Sequence, residues 1–245
     1  MSDEKLLKPG ERIDDLMREG FRLIQNPDLF CFGIDAVLLS DFAKASPKSR
    51  VLDLCTGNGV IPILMLARKK GFSYKAIEIQ EASADIASRS AKLNEVSDRL
   101  EIIQGDIKDV PNLVGRDAFD VVTCNPPYML NGGGLVNPDD AKALARHEIM
   151  CNFDDVAKAA SRALKVGGKF YFIHRPRRLS EIFASMKKYN LEPKRIRMVH
   201  SFYNKPAVMI LVEASKTGGV ELIIEPPLVI YKEPGVYTDE VISIY

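Results

Sequence analysis

The chain has 245 residues, of which 46% are apolar and 27% charged. That suits one sizeable domain with a small appendage and argues against disorder. The net charge of +1 points to no polyanion by itself, and no run approaches the ~18 apolar residues of a membrane-spanning helix. Met1 to Lys5 carry no apolar signal core, which makes a reducing cytoplasm the expected home. Cys31, Cys55, Cys124 and Cys151 form no Cys-x-x-Cys pair, and His147, His174 and His200 are scattered. No metal site or disulfide framework is expected from such spacing, and the cysteines read as small buried apolar residues.

Residues 11–17 are charged and mixed, 20–25 suit a strand, and 34–43 suit a helix with Asp35 in its first turn. Residues 1–48 are therefore read as a cap beside a main domain spanning 49–215. From residue 51 short apolar runs alternate with helical spacing. Strands are predicted at 51–55, 74–79, 100–104, 119–124 and 168–173, with helices at 60–70, 81–93, 153–164 and 179–189. This alternation predicts an α/β fold, a mostly parallel sheet with helices on both faces. Gly167-Gly168 reads as a helix stop. Residues 195–201 and 207–214 read as an antiparallel hairpin closing the sheet, and 216–245 as a carboxyl-terminal extension with Pro226-Pro227 and Pro234-Gly235 turns.

The first strand runs through Asp53 into Thr56-Gly57-Asn58-Gly59 and then a helix. Gly57 and Gly59 permit a sharp turn and close approach of a ligand, and the helix start favours a negative group. A nicotinamide fingerprint requires a third small residue where this chain has Pro62, and Asp53 is badly placed for a pyrophosphate. A ligand carrying both an ammonium and a carboxylate fits better. Glu78 ends the second strand, where an acid accepts ribose hydroxyls, and Asp106 follows the third, where an adenine amino group can bind. Each acid alone is an ordinary loop carboxylate. Their order at successive strand ends is what points to a nucleoside-bearing ligand.

The fourth strand, 119–124, runs into Asn125-Pro126-Pro127-Tyr128. Methylating a planar NH2 is difficult because its lone pair is delocalised. An amide oxygen and a backbone carbonyl aimed at the two N–H bonds favour rehybridisation. Asn125 and Pro126 offer those acceptors, the prolines stiffen the loop, and Tyr128 offers a flat face for the acceptor. The bland alternative is a turn that merely ends a strand. Asn131-Gly132-Gly133-Gly134 reads either as part of a lid or as a surface loop. Nine basic residues lie between His174 and Lys205: Arg175, Arg177, Arg178, Lys187, Lys188, Lys194, Arg195, Arg197 and Lys205. Within that stretch only Glu181 and Glu192 oppose them, so the segment is either a phosphate footprint or a solvated surface.

With these motifs the chain resembles the class I S-adenosylmethionine-dependent methyltransferases that act on exocyclic amines through Asn-Pro-Pro-Tyr. Within them it is most similar to the bacterial tRNA adenine-N6 methyltransferases that act beside the anticodon of a valine tRNA. The closer likeness rests on Glu11-Arg12-Ile13-Asp14-Asp15-Leu16, Phe30 to Ala36, Arg146-His147-Glu148 and Lys205-Pro206-Ala207, and covers about residues 11 to 215. The resemblance implies a seven-stranded Rossmann-like sheet and S-adenosylmethionine as cofactor. By it, Asp53, Thr56, Gly57 and Gly59 lie near the methionine part, with Phe32 and Asp35 at the methionyl end. Glu78 with Ile79 would hold the ribose, Asp106 with Ile107 the adenine, and Asn125, Pro126 and Tyr128 the target base. Arg146, His147, Arg175, Arg177, Arg178, Arg195 and Lys205 would face a tRNA partner. A glutamine methyltransferase of release factors, an rRNA or DNA amine methyltransferase, and a non-enzymatic RNA-binding protein remain as alternatives.

Overall fold

The computed structural model describes residues 3–29, 31–126 and 151–245. A short 3-10 turn, Asp3–Leu6, precedes the hairpin of β1 (Arg12–Asp15) and β2 (Arg22–Gln25), and α1 (Ile34–Phe42) leads into the main body. The body alternates β3 (Arg50–Leu54), α2 (Val60–Ala67), β4 (Ser73–Glu78), α3 (Glu81–Leu93), β5 (Leu100–Gln104), α4 (Val110–Leu113) and β6 (Phe119–Cys124). It continues through α5 (Phe153–Ala163), β7 (Leu164–His174), α6 (Leu179–Lys188), β8 (Leu191–His200) and β9 (Ala207–Lys216). The tail adds β10 (Ile223–Ile224), β11 (Leu228–Val229), a hairpin of β12 (Tyr231–Glu233) with β13 (Val236–Tyr237), and α7 (Asp239–Ile244).

Seven long strands lie side by side in the order β8-β9-β7-β6-β3-β4-β5. Pairings from β7 to β5 are parallel, and β9 runs antiparallel to both β7 and β8. The expected sheet is therefore present, with two short strands added: β10 and β11 both run parallel along the outer edge of β8. Strand order reverses between β3 and β6, since β4 and β5 extend the sheet one way and β6 and β7 the other. A crevice opens at the carboxyl ends of strands at such a point.

Alternation along the central strands divides the core in two. Val51, Val121, Tyr171 and Ile173 join the face covered by α1 and α2. Leu52, Leu54, Val122, Phe170 and Phe172 join the face covered by α5 and α6. Asp53 and Thr123 share the parity of Val51 and Val121, so two neighbouring polar residues stand on this face between β3 and β6. Strands buried on both sides read as near-continuous apolar runs, which is why the sequence places them well.

The reading of Gly167-Gly168 as a helix stop is corrected. Helix α5 already ends at Ala163, and the glycines lie within β7. Phe119 pairs with Leu164 but Val121 pairs with Lys169, so β7 carries a bulge opposite Asp120. Gly167 turns it with φ of +78°. The charged stretch at 11–17, to which the sequence assigns no element, contains β1, because Arg12 to Asp15 pair with β2 rather than with the main sheet.

Both ends of the chain are tied to this body. Arg89 on α3 donates to the Leu6 carbonyl, to Asp85 and to both carboxylate oxygens of Glu11. Leu228, Ile230, Val241 and Ile244 of the tail join the core beside α1. Tyr231, Tyr237 and Tyr245 stack in a row at 5.2 and 5.8 Å.

A Cβ at Gly168 would stand 2.9 Å from both the Lys165 carbonyl oxygen and Leu164 Cδ2, and 3.2 Å from the Asp120 oxygen. Gly168→Ala is expected to destabilise the fold by ~1–3 kcal/mol, the usual cost of overpacking. Gly167→Ala meets no neighbour within 4 Å and is strained only by its backbone. Urea denaturation of the two variants beside the native chain checks this ranking.

Candidate active site

The carboxyl ends of β3, β4, β5 and β6 and the starts of α1 and α2 border the crevice. Asp53, the penultimate residue of β3, pairs with Ala76 on one side and Thr123 on the other, and is fully buried. Its Oδ1 accepts from the Thr123 hydroxyl, while Oδ2 has no partner among the described residues. Thr56 Oγ1 is likewise buried, and it lies near the carboxylate without completing a hydrogen bond. Desolvation pushes the Asp53 carboxyl up to about 7; the Thr123 and Thr56 hydroxyls oppose this and the nearby Glu78 charge adds to it.

Beyond β3 the chain turns through Cys55 at φ +56°, Gly57 at +58° and Gly59 at +84°. A Cβ at Gly57 would meet nothing within 4 Å, so the loop borders open space. Gly59 has a different reason: its Cβ would come within 3.2 Å of Ala87 Cβ, so it permits close packing of α2 on α3. Glu78 is buried and holds the turn from outside, accepting from the Gly57 amide at 2.9 Å and the Gln80 amide at 3.0 Å. Each of its oxygens keeps a further lone pair. Ile79, next along, is partly open. Asp106 accepts from the Lys108 amide and caps a short 3-10 turn, with buried Ile107 beside it.

Across the switch point β6 delivers Asn125. In register, Leu54 faces Cys124, so Asn125 emerges beside the start of the glycine turn. Its Nδ2 donates to Asp35 Oδ2 at 2.9 Å. Its Oδ1 is buried and has no partner among the described residues. Pro126 is buried as well. Asn125 Oδ1 is thus a buried acceptor left open among the described residues, at the carboxyl end of β6. Tyr128, Arg146 and His147, with the Gly132 to Gly134 stretch, lie outside the described residues.

Gln25, at the end of β2, is a site residue that sequence reading missed. Its Oε1 accepts from the Phe32 amide at 3.1 Å and from Asn58 Nδ2 at 3.5 Å, and its Nε2 donates to Asp14. It thus joins the amino-terminal hairpin to the glycine turn. A glutamine ending a strand carries no signal of its own; only the Asn of Gly-Asn-Gly hints that a partner exists. The cysteines are also corrected. Cys55, Cys124 and Cys151 lie far apart in sequence but are within interaction distance of one another. Cys124 is fully buried, and all three thiols are pushed above their ordinary range by one another and by burial, which makes them poor nucleophiles.

The basic segment changes meaning in three dimensions. Arg195 is an internal residue: it bonds Glu213 at 3.0 Å, Glu225 at 2.8 Å and the Phe42 carbonyl, and stacks over the Phe42 ring at 4.0 Å. Arg197 pairs with Glu240, Lys188 with Asp154 and Arg178 with Glu181. Except for Glu181, these acids are remote in sequence and invisible in the local stretch, and they engage Arg195, Arg197 and Lys188. Arg177 and Lys205 are exposed. Arg175 is half-buried and donates to the Val208 carbonyl. Tyr203, 89% exposed, marks the β8–β9 turn. That turn stands on the crevice side, because β9 starts beside the carboxyl end of β7. A separate cavity opens at the opposite edge of the sheet, lined by Lys44, Ser46, Lys70 and Lys169. Lys70 there is committed to three carbonyls ending α1.

A sequence profile described as "Methyltransferase domain" matches residues 45–216. The chain is 30% identical over 205 residues to a Pedobacter heparinus protein named tRNA1(Val) (adenine(37)-N6)-methyltransferase, covering 84% of this chain and 85% of that one. It is 29% identical over 220 residues to a Porphyromonas gingivalis protein of the same name, covering 86% of each. Among solved structures it is similar to a predicted O-methyltransferase of Agrobacterium tumefaciens, with 25% identity and a TM-score of 0.67 over 86% of this chain and 94% of that one.

Burial of Asp53 has a pH signature. A carboxyl whose folded value is raised to about 7 from 3.8 binds a proton in the native state that the unfolded chain releases. Its contribution is therefore complete below pH ~4 and falls as pH rises through about 7. Asp53→Asn abolishes this titration. The stability difference, native minus variant, should decline by a few kcal/mol between pH ~4 and pH ~8, because each tenfold change in proton affinity is worth roughly 1.4 kcal/mol. Urea denaturation at the two pH values measures it; a flat difference contradicts the assignment.

Proposed function

The chain belongs to the methyltransferase-domain family, and from that we propose that it transfers the methyl group of S-adenosylmethionine to N6 of an adenine in tRNA, beside the anticodon of a valine tRNA. The observation that carries the reaction is the buried Asn125 Oδ1 at the end of β6, without a partner among the described residues and across the switch point from Asp53 and the Gly57 turn. The names of the relatives at 28–30% identity support the substrate.

The residues lining the crevice support S-adenosylmethionine as the cofactor. Asp53 Oδ2 and Thr56 Oγ1 are buried polar atoms lacking partners among the described residues, and they suit an ammonium. Gly57 leaves room for close approach. Glu78 would accept from the ribose hydroxyls, and Asp106 would meet the adenine amino group with Ile79 and Ile107 against its ring. Phe32, whose amide is fixed by Gln25, would close the methionyl end. When bound, the cofactor supplies an electrophilic methyl on a sulfonium.

The protein contributes position and electrostatics. Asn125 Oδ1 and the Pro126 carbonyl accept the two N–H bonds of the target amine. They hold it with its lone pair directed at the donor and favour the pyramidal nitrogen that develops during attack. No base is needed beforehand, because the nitrogen becomes acidic once it carries the methyl; its extra proton then passes to solvent. An adenine in a folded RNA must leave its stack to reach this crevice, and Tyr128 is assigned the face on which it rests. Arg177 and Lys205 are the exposed cations best suited to tRNA phosphates. Arg195 is reassigned to the internal ion cluster.

Incubating the protein with S-adenosylmethionine and unmodified tRNA should produce N6-methyladenosine in nucleoside mass spectrometry. N5-methylglutamine on a release factor instead would transfer the same chemistry to a protein carboxamide. Asn125→Ala should lower turnover by ~10²-fold or more, the cost of removing one preorganised transition-state partner, with cofactor affinity by calorimetry little changed.

Arg177→Glu and Lys205→Glu should each weaken tRNA binding and reduce the slope of log K against log salt by about 1, as loss of one phosphate contact does. Filter binding at several salt concentrations reads the slope, and an unchanged slope removes that residue from the RNA surface.

A further inference from the structure

We propose that Asp35 is a positioning residue for the acceptor amine: it fixes the orientation of the Asn125 amide so that the oxygen, not the NH2, faces the target. The inference rests on the amine-binding role of Asn125 given above and goes beyond the place at the methionyl end that the resemblance implies for Asp35.

A side-chain amide has two ends of similar size and opposite polarity, and rotating it by a half-turn exchanges them. With NH2 forward, Asn125 would present donors to an amine that is itself a donor, and would compete for the lone pair that must attack. Something has to select the other rotamer. Asp35 accepts from Asn125 Nδ2 at 2.9 Å, and an ionised carboxylate can only accept. That single contact forbids the flipped amide, which would set two oxygens against each other in a buried place.

The carboxylate is itself fixed. Asp35 is buried and stands in the first turn of α1, where the helix dipole favours a negative charge. The Ala36 amide donates to its Oδ1 at 3.0 Å. Gly33 leaves the space it needs, since a Cβ there would lie 2.9 Å from that Oδ1. At the other end of the contact, Asn125 Oδ1 is buried without a partner among the described residues. A desolvated acceptor left open is costly. It is intelligible where a ligand N–H completes it, and Asp35 keeps it facing that way. The first turn of α1 thus acts through β6 on the acceptor.

Asp35→Leu removes the acceptor at similar volume. Turnover at saturating S-adenosylmethionine should fall ~10²-fold, as for loss of the preorganised oxygen, with affinity for the cofactor and KM for RNA changing less than about threefold. Asp35→Asn, which can still accept from Nδ2, should recover most of this, leaving a loss of roughly fivefold to tenfold, the difference between a charge-assisted and a neutral bond. In the Asn125→Ala background, Asp35→Leu should cost almost nothing further, because it acts through the missing amide.

Losses that multiply in the double variant, or a tenfold weaker cofactor Kd with unchanged turnover, overturn the inference and return Asp35 to the cofactor. Hydrogen exchange of the Asn125 side-chain amide, slow in the native protein and fast in Asp35→Leu, tests the contact without any substrate. Equal exchange in the two also overturns it. A native protein that shows the protected amide yet leaves tRNA unmethylated refutes the substrate reading and leaves the Asp35 contact standing.

Discussion

Pairing of β3 with β6 is the constraint on which the remainder of the structure depends. These neighbours are not consecutive in sequence; β4 and β5 lie between them in the chain and to one side of them in the sheet. Loops leaving their carboxyl ends diverge to opposite faces and leave a gap between them. The glycine turn forms one wall of this gap and Asn125 the other. A slip of β6 by one residue would put Thr123 on the face opposite Asp53, and would move Asn125 away from the turn. The large apolar residues that alternate with them hold the register, so the geometry of the crevice is fixed by core packing rather than by the loops themselves.

Two buried acids flank that gap and differ in how each is satisfied. Asp53 has one oxygen bonded to a hydroxyl and one open among the described residues, and burial drives it toward the neutral form. A cationic ligand arriving there would restore its charge and release its proton, so ligand binding and ionisation are linked. Asp35 accepts from a side-chain amide and a backbone amide at the start of a helix. The same residue type thus leaves an oxygen open among the described residues at one wall and holds a neighbouring amide at the other. This division follows from backbone placement, a strand's carboxyl end against a helix start.

Much of the fold was legible because the signals are local. Runs such as Val121-Val122 and Leu52 to Leu54 bury both faces of a strand, and the helices between them keep one apolar stripe. Asp53, Gly57, Glu78 and Asn125 were legible as candidates because each follows or closes such a run. What escaped were interactions whose partners come from distant sequence. Gln25 bonds Asn58 across 33 positions, Asp35 bonds Asn125 across 90, and Cys151 meets Cys55 only once the sheet is built. Gly167-Gly168 misled because a glycine pair after a helix looks the same whether it ends that helix or forms a bulge at the fourth and fifth residues of the next strand. Local pattern determines which elements exist; it does not determine which side chains face one another across them.

The basic stretch between His174 and Lys205 makes the same point with charge. Counted along the chain it is strongly cationic, yet Glu213, Glu225, Glu240 and Asp154 approach it from β9, the tail and α5. Arg195 is the clearest case, since its side chain is 15% exposed and meets two carboxylates and an aromatic face. Reversing its charge would leave two acids opposing a third in a half-buried place, and the effect would register as lost stability before any effect on RNA. Arg177 and Lys205 are exposed, and Lys205 lies in the β8–β9 turn on the crevice side. The uncompensated positive charge of this stretch is therefore smaller than the sequence count suggests, because remote carboxylates neutralise Arg195, Arg197 and Lys188.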